Sequence, residues 1–420
     1  MQLEKPKLFL DSKAFVGVMG LLIVLLLGRF AFLYQDYQAF INKPFFYTHA
    51  EVLSSYTKTK NNKTYQVLKL RSDEGLTFYT TNYQKKDFQH TRVHLQLLPD
   101  KRITFWGYLG TFFVKSRIKT IEHLPKTVKD ELLQKVASQH RGSLLDSFYN
   151  AIFFATPLDQ ALREKISMLG ISHLVALSGF HLGIVWGIVY GLLLLPYRIA
   201  QQRYFPYRHA LFDVGLVSIV CLGIYVWFVD FPPSLVRSYA MVLAGWIVLL
   251  AGVELLSFTF LTTIVLALAV FFPFLLVSLS FWLSVAGVFY IFLVLRYAKN
   301  VNKWMVTLLV IPLGIFVLML PVVHTVFGLT TPYQLLSPLL SLLFIPFYPL
   351  VMVLHLLQWG DMLDEPLTWL FNLPHGEEQM LLPLWGFGVY VLLSLSAIWS
   401  RRLFLATLSG ATGYGVYLFI

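Results

Sequence analysis

Residues 170–195 read Gly-Ile-Ser-His-Leu-Val-Ala-Leu-Ser-Gly-Phe-His-Leu-Gly-Ile-Val-Trp-Gly-Ile-Val-Tyr-Gly-Leu-Leu-Leu-Leu. The stretch holds no Asp, Glu, Lys or Arg, and from residue 172 it meets the roughly 20 apolar residues that one bilayer-crossing helix needs. On such a helix His173 and His181 lie two turns apart on one face, with Ser178 one turn before His181. Gly179, Gly183, Gly187 and Gly191 recur every four residues, a stripe that lets another helix approach closely. The plain reading is a packing helix whose histidines are hydrogen-bonded in a bundle. The sharper reading is a polar lining, because ionisable groups in membrane helices are rare and usually face a cavity. A Ser–His hydrolase pair is a third reading; it requires an orienting acid, and none stands nearby in sequence.

The rest of the chain is of the same kind. Of 420 residues, 57% are hydrophobic and 13% charged, where soluble domains carry roughly 25% charged. Those figures exclude an ordinary soluble enzyme, a disordered chain and a fibrous repeat, and leave a polytopic membrane protein. The single cysteine, Cys221, excludes an internal disulfide and a Cys-rich zinc site. Working outward, further spans are expected at 15–33, 211–229, 235–253, 258–272, 274–296, 304–320, 381–399 and 403–419. With 172–195 that makes about nine. Lys5, Lys7 and Lys13 precede the first, which reads as an uncleaved anchor with a cytoplasmic N-terminus. Arg198, Arg203 and Arg208, then Arg296, Lys299 and Lys303, then Arg401 and Arg402 mark cytoplasmic loops. The loop 358–380 holds Asp361, Asp364, Glu365, Glu377 and Glu378 and no Lys or Arg, which places it outside. Segment 333–357 then begins and ends outside, and Pro338, Pro346 and Pro349 point to a re-entrant pair of half-helices.

Two regions differ from the spans. Residues 126–170 read as amphipathic helices lying in the outer interface. Residues 45–125 hold short runs rich in Thr, Val, Tyr and Phe (47–57, 64–71, 76–81, 91–98, 102–108 and 111–121) between polar turns such as Asn61-Asn62. That spacing predicts a small all-β domain. Its 13 Lys/Arg and 6 Asp/Glu give 13 − 6 = +7 of the chain's +11, in a part outside the membrane where topology does not account for it.

Three more segments stand out. Asp230-Phe-Pro-Pro-Ser-Leu-Val-Arg places Ser234 and Arg237 near a helix start, with the guanidinium about one turn into the membrane. An arginine there snorkels, pairs with a counter-charge such as Asp230, or meets an anion such as phosphate. Pro273 to Gly287 sets Ser280 and Ser284 on one helix face. The fourth is the proline-broken stretch 331–350.

Together these segments resemble the competence domain of the ComEC family, the DNA-uptake channel of natural transformation. A motif His-Leu-hydrophobic-Ala-hydrophobic-Ser-Gly-hydrophobic-His matches His173 to His181. Pro-Ser-hydrophobic-hydrophobic-Arg matches Pro233 to Arg237. The family's Pro-Phe…Ser…Gly-Phe-Gln-Leu-Ser motif matches Pro273 to Ser284, with Ser280 where glycine is usual and Trp282 where glutamine is usual. The resemblance covers residues 45–357 and makes the β segment an extracytoplasmic OB-type domain. Long members carry extra N-terminal spans and a C-terminal metallo-β-lactamase-like domain; the sequence shows one early span and no His-x-His-x-Asp-His cluster, so no nuclease, metal or other cofactor is expected here.

The resemblance implies an inner-membrane channel for single-stranded DNA, lined by His173, Ser178, His181, Ser234, Arg237, Ser280 and Ser284. On the β domain, Lys58, Lys60, Lys63, Lys69, Arg71, Lys85, Lys86, Arg92, Lys101 and Arg102 would track phosphates. Exposed members of Tyr56, Tyr65, Tyr79, Tyr83, Phe105, Trp106 and Tyr108 would stack bases, with half or more of these expected in the barrel core. The expected partners are the transiting strand, the bilayer, a periplasmic or surface DNA receptor, a cytoplasmic motor or strand-binding protein and a separate nuclease. No Gly-Lys-Ser/Thr nucleotide loop is present. A homodimer is left open by the glycine stripe. The competing reading is a secondary transporter of a smaller anionic solute with the β domain as a regulatory module.

Overall fold

The computed structural model describes every residue except 1–7, 10, 61–62, 84–87, 89, 126, 251–256 and 377. Lys85, Lys86 and the Asn61-Asn62 turn lie outside the described residues, as do the side chains of Lys60, Lys63 and Pro233. The chain divides into two compact units, Asp11–Thr127 with Thr262–Leu279, and Val128–Leu261 with Ser280–Ile420.

The first unit begins with helix α1 (Ser12–Ile41), 30 residues and so about 45 Å long. That exceeds a hydrocarbon core of about 30 Å. The surplus turns pack on the β strands: Phe40 is buried against Phe46, Tyr108 and Phe112, and the Tyr37 hydroxyl donates to the Ile103 carbonyl. The strands are β1 (Phe46–Lys60), β2 (Lys63–Ser72), β3 (Thr77–Asn82), β4 (Thr91–Leu98), β5 (Thr111–Phe113) and β6 (Lys115–His123). Their order is β5-β3-β2-β1-β4-β6. β5 runs parallel to β3 and β6 antiparallel to β4, with only Val114 between them, so one bent strand joins both edges and closes the sheet on itself. Closure removes free edges. Alternation puts Leu68, Leu70, Phe78, Val93, Leu95 and Leu97 inside, all fully buried. The run 102–108 is not a strand. Thr104 caps a short helix α2 (Phe105–Leu109), its hydroxyl accepting from the Gly107 N–H.

The second unit is helical. α3 (Val128–Ala137), α4 (Ser143–Phe154), α5 (Gln160–Met168) and α6 (Ser172–Val175) precede α7 (Gly179–Tyr204), α8 (Ala210–Phe228), α9 (Pro233–Leu250) and α10 (Phe258–Phe271), the last divided between the units. Then come α11 (Leu279–Tyr297), α12 (Lys303–Met305), a π-helical turn Val306–Val310, α13 (Ile311–Val323), α14 (Ser337–Leu356), α15 (Asp364–Asn372), α16 (Leu384–Ser396) and α17 (Arg401–Phe419). A two-stranded ladder pairs β7 (Leu329–Thr330) with β8 (Glu378–Gln379). Among the described residues six helices are long and apolar enough to cross a membrane: α1, α7, α8, α11, Lys303–Val323 and Pro332–Leu356. The protein is thus a polytopic helical membrane protein. Ser234–Leu250, Phe258–Phe271 and Leu384–Ser396 are apolar but shorter.

Two expectations about these helices are corrected. Segment 172–195 is not one helix, because residues 176–178 break it between α6 and α7. Segment 333–357 is not a broken pair. Pro338 sits in the first turn of α14, and the helix runs through Pro346 and Pro349. Each interior proline frees one carbonyl, a loss that packed neighbouring helices tolerate.

Candidate functional site

The break before α7 is a cap. Ser178 is extended (φ −139°, ψ −178°), and its hydroxyl accepts from the Phe180 N–H. In return Nδ1 of His181 accepts from the Ser178 N–H at 3.3 Å. This is a capping box with histidine in the place of the usual Glu or Gln. The ring hydrogen of His181 therefore sits on Nε2, which is buried with no partner among the described residues. The ring is fully buried and meets Phe344 and Tyr348 edge-on, centroids 5.1 and 4.9 Å apart. The acid of a hydrolytic triad would have to stand at that nitrogen, and among the described residues none is bonded to it. His173, on α6, is exposed and lies 3.2 Å from the Ser341 hydroxyl through Nε2.

Arg237 is in the second turn of α9 and buried, 5% exposed. Its Nη1 donates to the Ser280 hydroxyl at 3.1 Å, and its Nε is buried without a partner among the described residues. Asp230 is not its counter-charge. That carboxylate pairs with Lys129 of α3 at 2.5 Å, because residues 230 and 231 turn with φ of 65° and 52° before Pro232 and Pro233. Ser238 shares the helix; its hydroxyl donates to the Ser234 carbonyl, and it is the neighbour that a Cβ on Gly179 would meet at 3.5 Å. Ser284 follows Ser280 by one turn of α11.

At Gly170 the chain meets the start of α14 and the turn before it. It adopts φ +67°, the left-handed region, and a Cβ there would stand 3.3 Å from Gln334 and 3.5 Å from Ser337. The Ser337 hydroxyl donates to the Gly170 carbonyl, and Thr331 Oγ1 donates to that of Met168 at 2.5 Å. So four segments singled out in sequence meet. Residues 170–181 touch α9 through Gly179 and α14 through Gly170, His173 and His181, and α9 touches α11 through Arg237. Along the glycine stripe the close approach is at Gly179. At Gly183, Gly187 and Gly191 an added Cβ would meet nothing within 4 Å, so among the described residues no second helix closes on them.

The β unit presents its polar residues on the outer face. Register pairs Lys58 with Tyr65, Tyr56 with Val67, Lys69 with Tyr79 and Arg71 with Thr77, so these side chains share the face opposite Leu68 and Leu70. Lys58 lies over the Tyr56 ring at 5.7 Å and Lys69 over Tyr79 at 6.0 Å; Tyr65 and Tyr83 are 6.0 Å apart. None of the seven aromatics singled out in sequence is fully buried; the core is built from Leu, Val and Phe instead. Trp106 rests on Phe30 of α1. Arg92 is tied to Asp73 at 2.5 Å; Lys101 and Arg102 are exposed, Arg102 beside Asp100 at 3.6 Å. Among the described residues no three His, Cys, Asp or Glu are grouped to hold a metal.

The family profile described as Competence protein matches residues 155–415. The chain belongs to that family. The Competence match takes in every segment of the convergence just described and extends into α17, further than the motifs alone suggested; it leaves out the β unit. A curated relative, an uncharacterised protein of Aquifex aeolicus (strain VF5), is 29% identical over 235 residues, covering 54% of this chain and 52% of the relative. The chain thus spans about half the length of that relative. No solved structure matches.

Proposed function

We propose that this protein is a channel, or the membrane part of one, that carries a single DNA strand from the outer face of the inner membrane into the cytoplasm during natural transformation. The observation that carries the reading is Arg237. A buried guanidinium held, among the described residues, by one neutral hydroxyl is a costly arrangement in an apolar helix, and it becomes favourable when an anion arrives. Phosphate matches the guanidinium fork, and a strand of phosphates supplies a succession of such anions. The surrounding Ser178, Ser234, Ser280, Ser284, His173 and His181 offer neutral polar groups that bind weakly enough to release, as conduction requires. The β unit, an OB-type barrel in this reading, faces outside, with Lys58, Lys69 and Arg71 for phosphates and Tyr56, Tyr65, Tyr79 and Tyr83 for bases. A DNA receptor, a cytoplasmic motor or strand-binding protein and a nuclease act beside it.

The test is uptake in cells lacking the protein, complemented with wild type or Arg237→Glu, given fluorescent duplex DNA that carries a selectable marker. The expected result with Arg237→Glu is normal insertion, label held outside the cytoplasm and loss of transformants. Transformation at the wild-type frequency would remove Arg237 from the pathway. Normal transformation in the deletion strain would turn the reading to an anionic-solute transporter.

A further inference from the structure

The C-terminal end of α14 carries a buried polar chain that the DNA reading does not use. His140, in the turn between α3 and α4, faces Asp364 through Nδ1, 2.9 Å from Oδ1 and 3.2 Å from Oδ2. Its Nε2 lies 3.0 Å from Nε2 of His355. Nδ1 of His355 lies 2.7 Å from the Val351 carbonyl. The His140 side chain has no exposed surface, and its ring is stacked on Tyr149 at 4.4 Å. Gln139 closes the group, accepting from the Gly360 N–H and donating to the His355 carbonyl.

Proton positions follow from donor and acceptor identity. A carbonyl only accepts, so Nδ1 of His355 carries a hydrogen. A neutral His355 then presents a bare Nε2, and the hydrogen between the rings belongs to Nε2 of His140. The contact with Asp364 needs a further proton, on His140 Nδ1 or on the carboxyl. With Asp364 ionised, the chain is complete when these three side chains hold one proton more than a carboxylate and two neutral imidazoles. Remove it, and either a lone pair faces the carboxylate or two bare nitrogens face each other. Add another at Nε2 of His355, and two N–H groups oppose each other at 3.0 Å.

We propose that His140, His355 and Asp364 form a single-proton latch that seats the end of α14 against the α3–α4 turn and opens on either side of a pH window. Asp146 and Tyr149 of α4 also face the group. Burial raises the Asp146 carboxyl above its usual range, with His140 opposing and Asp364 adding; burial and Asp364 raise the Tyr149 phenol, which stays neutral throughout. α14 carries Ser341, Phe344 and Tyr348 to His173 and His181, so an open latch loosens the helix packed on the candidate pathway. That consequence rests on the DNA reading; the latch does not.

The test is amide hydrogen exchange of the full chain in lipid nanodiscs, corrected for the intrinsic chemical rate, in peptides covering 137–149 and 351–366 from about pH 5 to about pH 9. Protection should peak inside the range and fall about tenfold toward both ends. Asp364→Asn should flatten the profile at the unprotected level, and Asp364→Glu should restore the peak. A flat profile in the wild type, which needs no variant to fold, overturns the latch. So does an Asp364→Asn profile that keeps the peak. Stoichiometric zinc in the purified protein, with protection lost on chelation, would make the facing imidazoles a metal pair and overturn it equally. Failure of transformation assays to involve the protein would sink the DNA reading and leave these outcomes unchanged.

Discussion

Asp146 shows what burial does to a single carboxylate. Its Oδ1 is buried with no partner among the described residues, and desolvation raises its proton affinity in the folded state. A raised folded value means that the stabilising contribution is complete below the unfolded value, near 3.9, and is lost as pH rises through the folded value. At neutral pH the ionised group therefore weakens the fold. Asp146→Asn should raise the melting temperature at pH 7, and the advantage should shrink toward zero as pH falls to about 4. Thermal melts of both proteins at the two pH values check this, and an advantage that grows on acidification would show the sign to be wrong. At this scale the sequence was legible for residue type and not for partner. Arg237 and the two histidines stood out because charge and imidazole are rare in apolar runs. That Lys129 takes Asp230, and leaves Arg237 to Ser280, depends on a contact between residues 101 apart, which no local pattern encodes.

The elements were legible where periodicity or length speaks, and less so at their ends. Each of the nine expected spans contains a helix among the described residues, though 172–195 is interrupted at 176–178, and the runs that became β1 to β4 carry the alternation of strands. The missed break at 176–178 had a signal in Ser178 followed three residues later by His181, a cap pattern hidden by histidine standing where glutamate is usual. Prolines misled in the other direction at α14, since interior prolines in a packed helix bend or loosen it without ending it. The end of that helix offers a sharper test. Gly360 follows it by four residues, and a Cβ there would stand 2.6 Å from Gln139 Oε1 and 2.9 Å from His355 Nε2. Neither ring nor amide is free to retreat, since each is bonded on its other side. Gly360→Ala should cost about 1–3 kcal/mol, the range for overpacking. The loss should be seen in thermal melts and in faster exchange of residues 351–366. An unchanged melting temperature would mean that the corner gives more easily than its bonding implies.

For the whole molecule, composition alone settled the membrane class, while the way distant segments meet was beyond it. The closure of the β unit by one bent strand is a register event, and hydrophobic alternation reports a face without naming the neighbour. Once register is known, the charge of the β unit acquires a direction. Of the ten cations singled out there, Lys58, Lys69 and Arg71 share the outer face of β1 to β3 with Tyr56, Tyr65 and Tyr79, while Arg92 is tied to Asp73. Single-stranded DNA bound there should release about 0.7 counterions per phosphate contact. Four contacts then give a log–log salt slope near −3, and replacing Lys58, Lys69 and Arg71 with alanine should flatten it by about 2. Fluorescence anisotropy of a labelled oligonucleotide with the full-length protein in nanodiscs, over a salt series, measures both slopes. The core residues beneath that face are untouched by these changes, so folding should survive and the comparison stays clean. Equal slopes for the two proteins would place the phosphate contacts elsewhere on the molecule. A wild-type slope near zero would mean that the positive charge of the β unit serves something other than DNA.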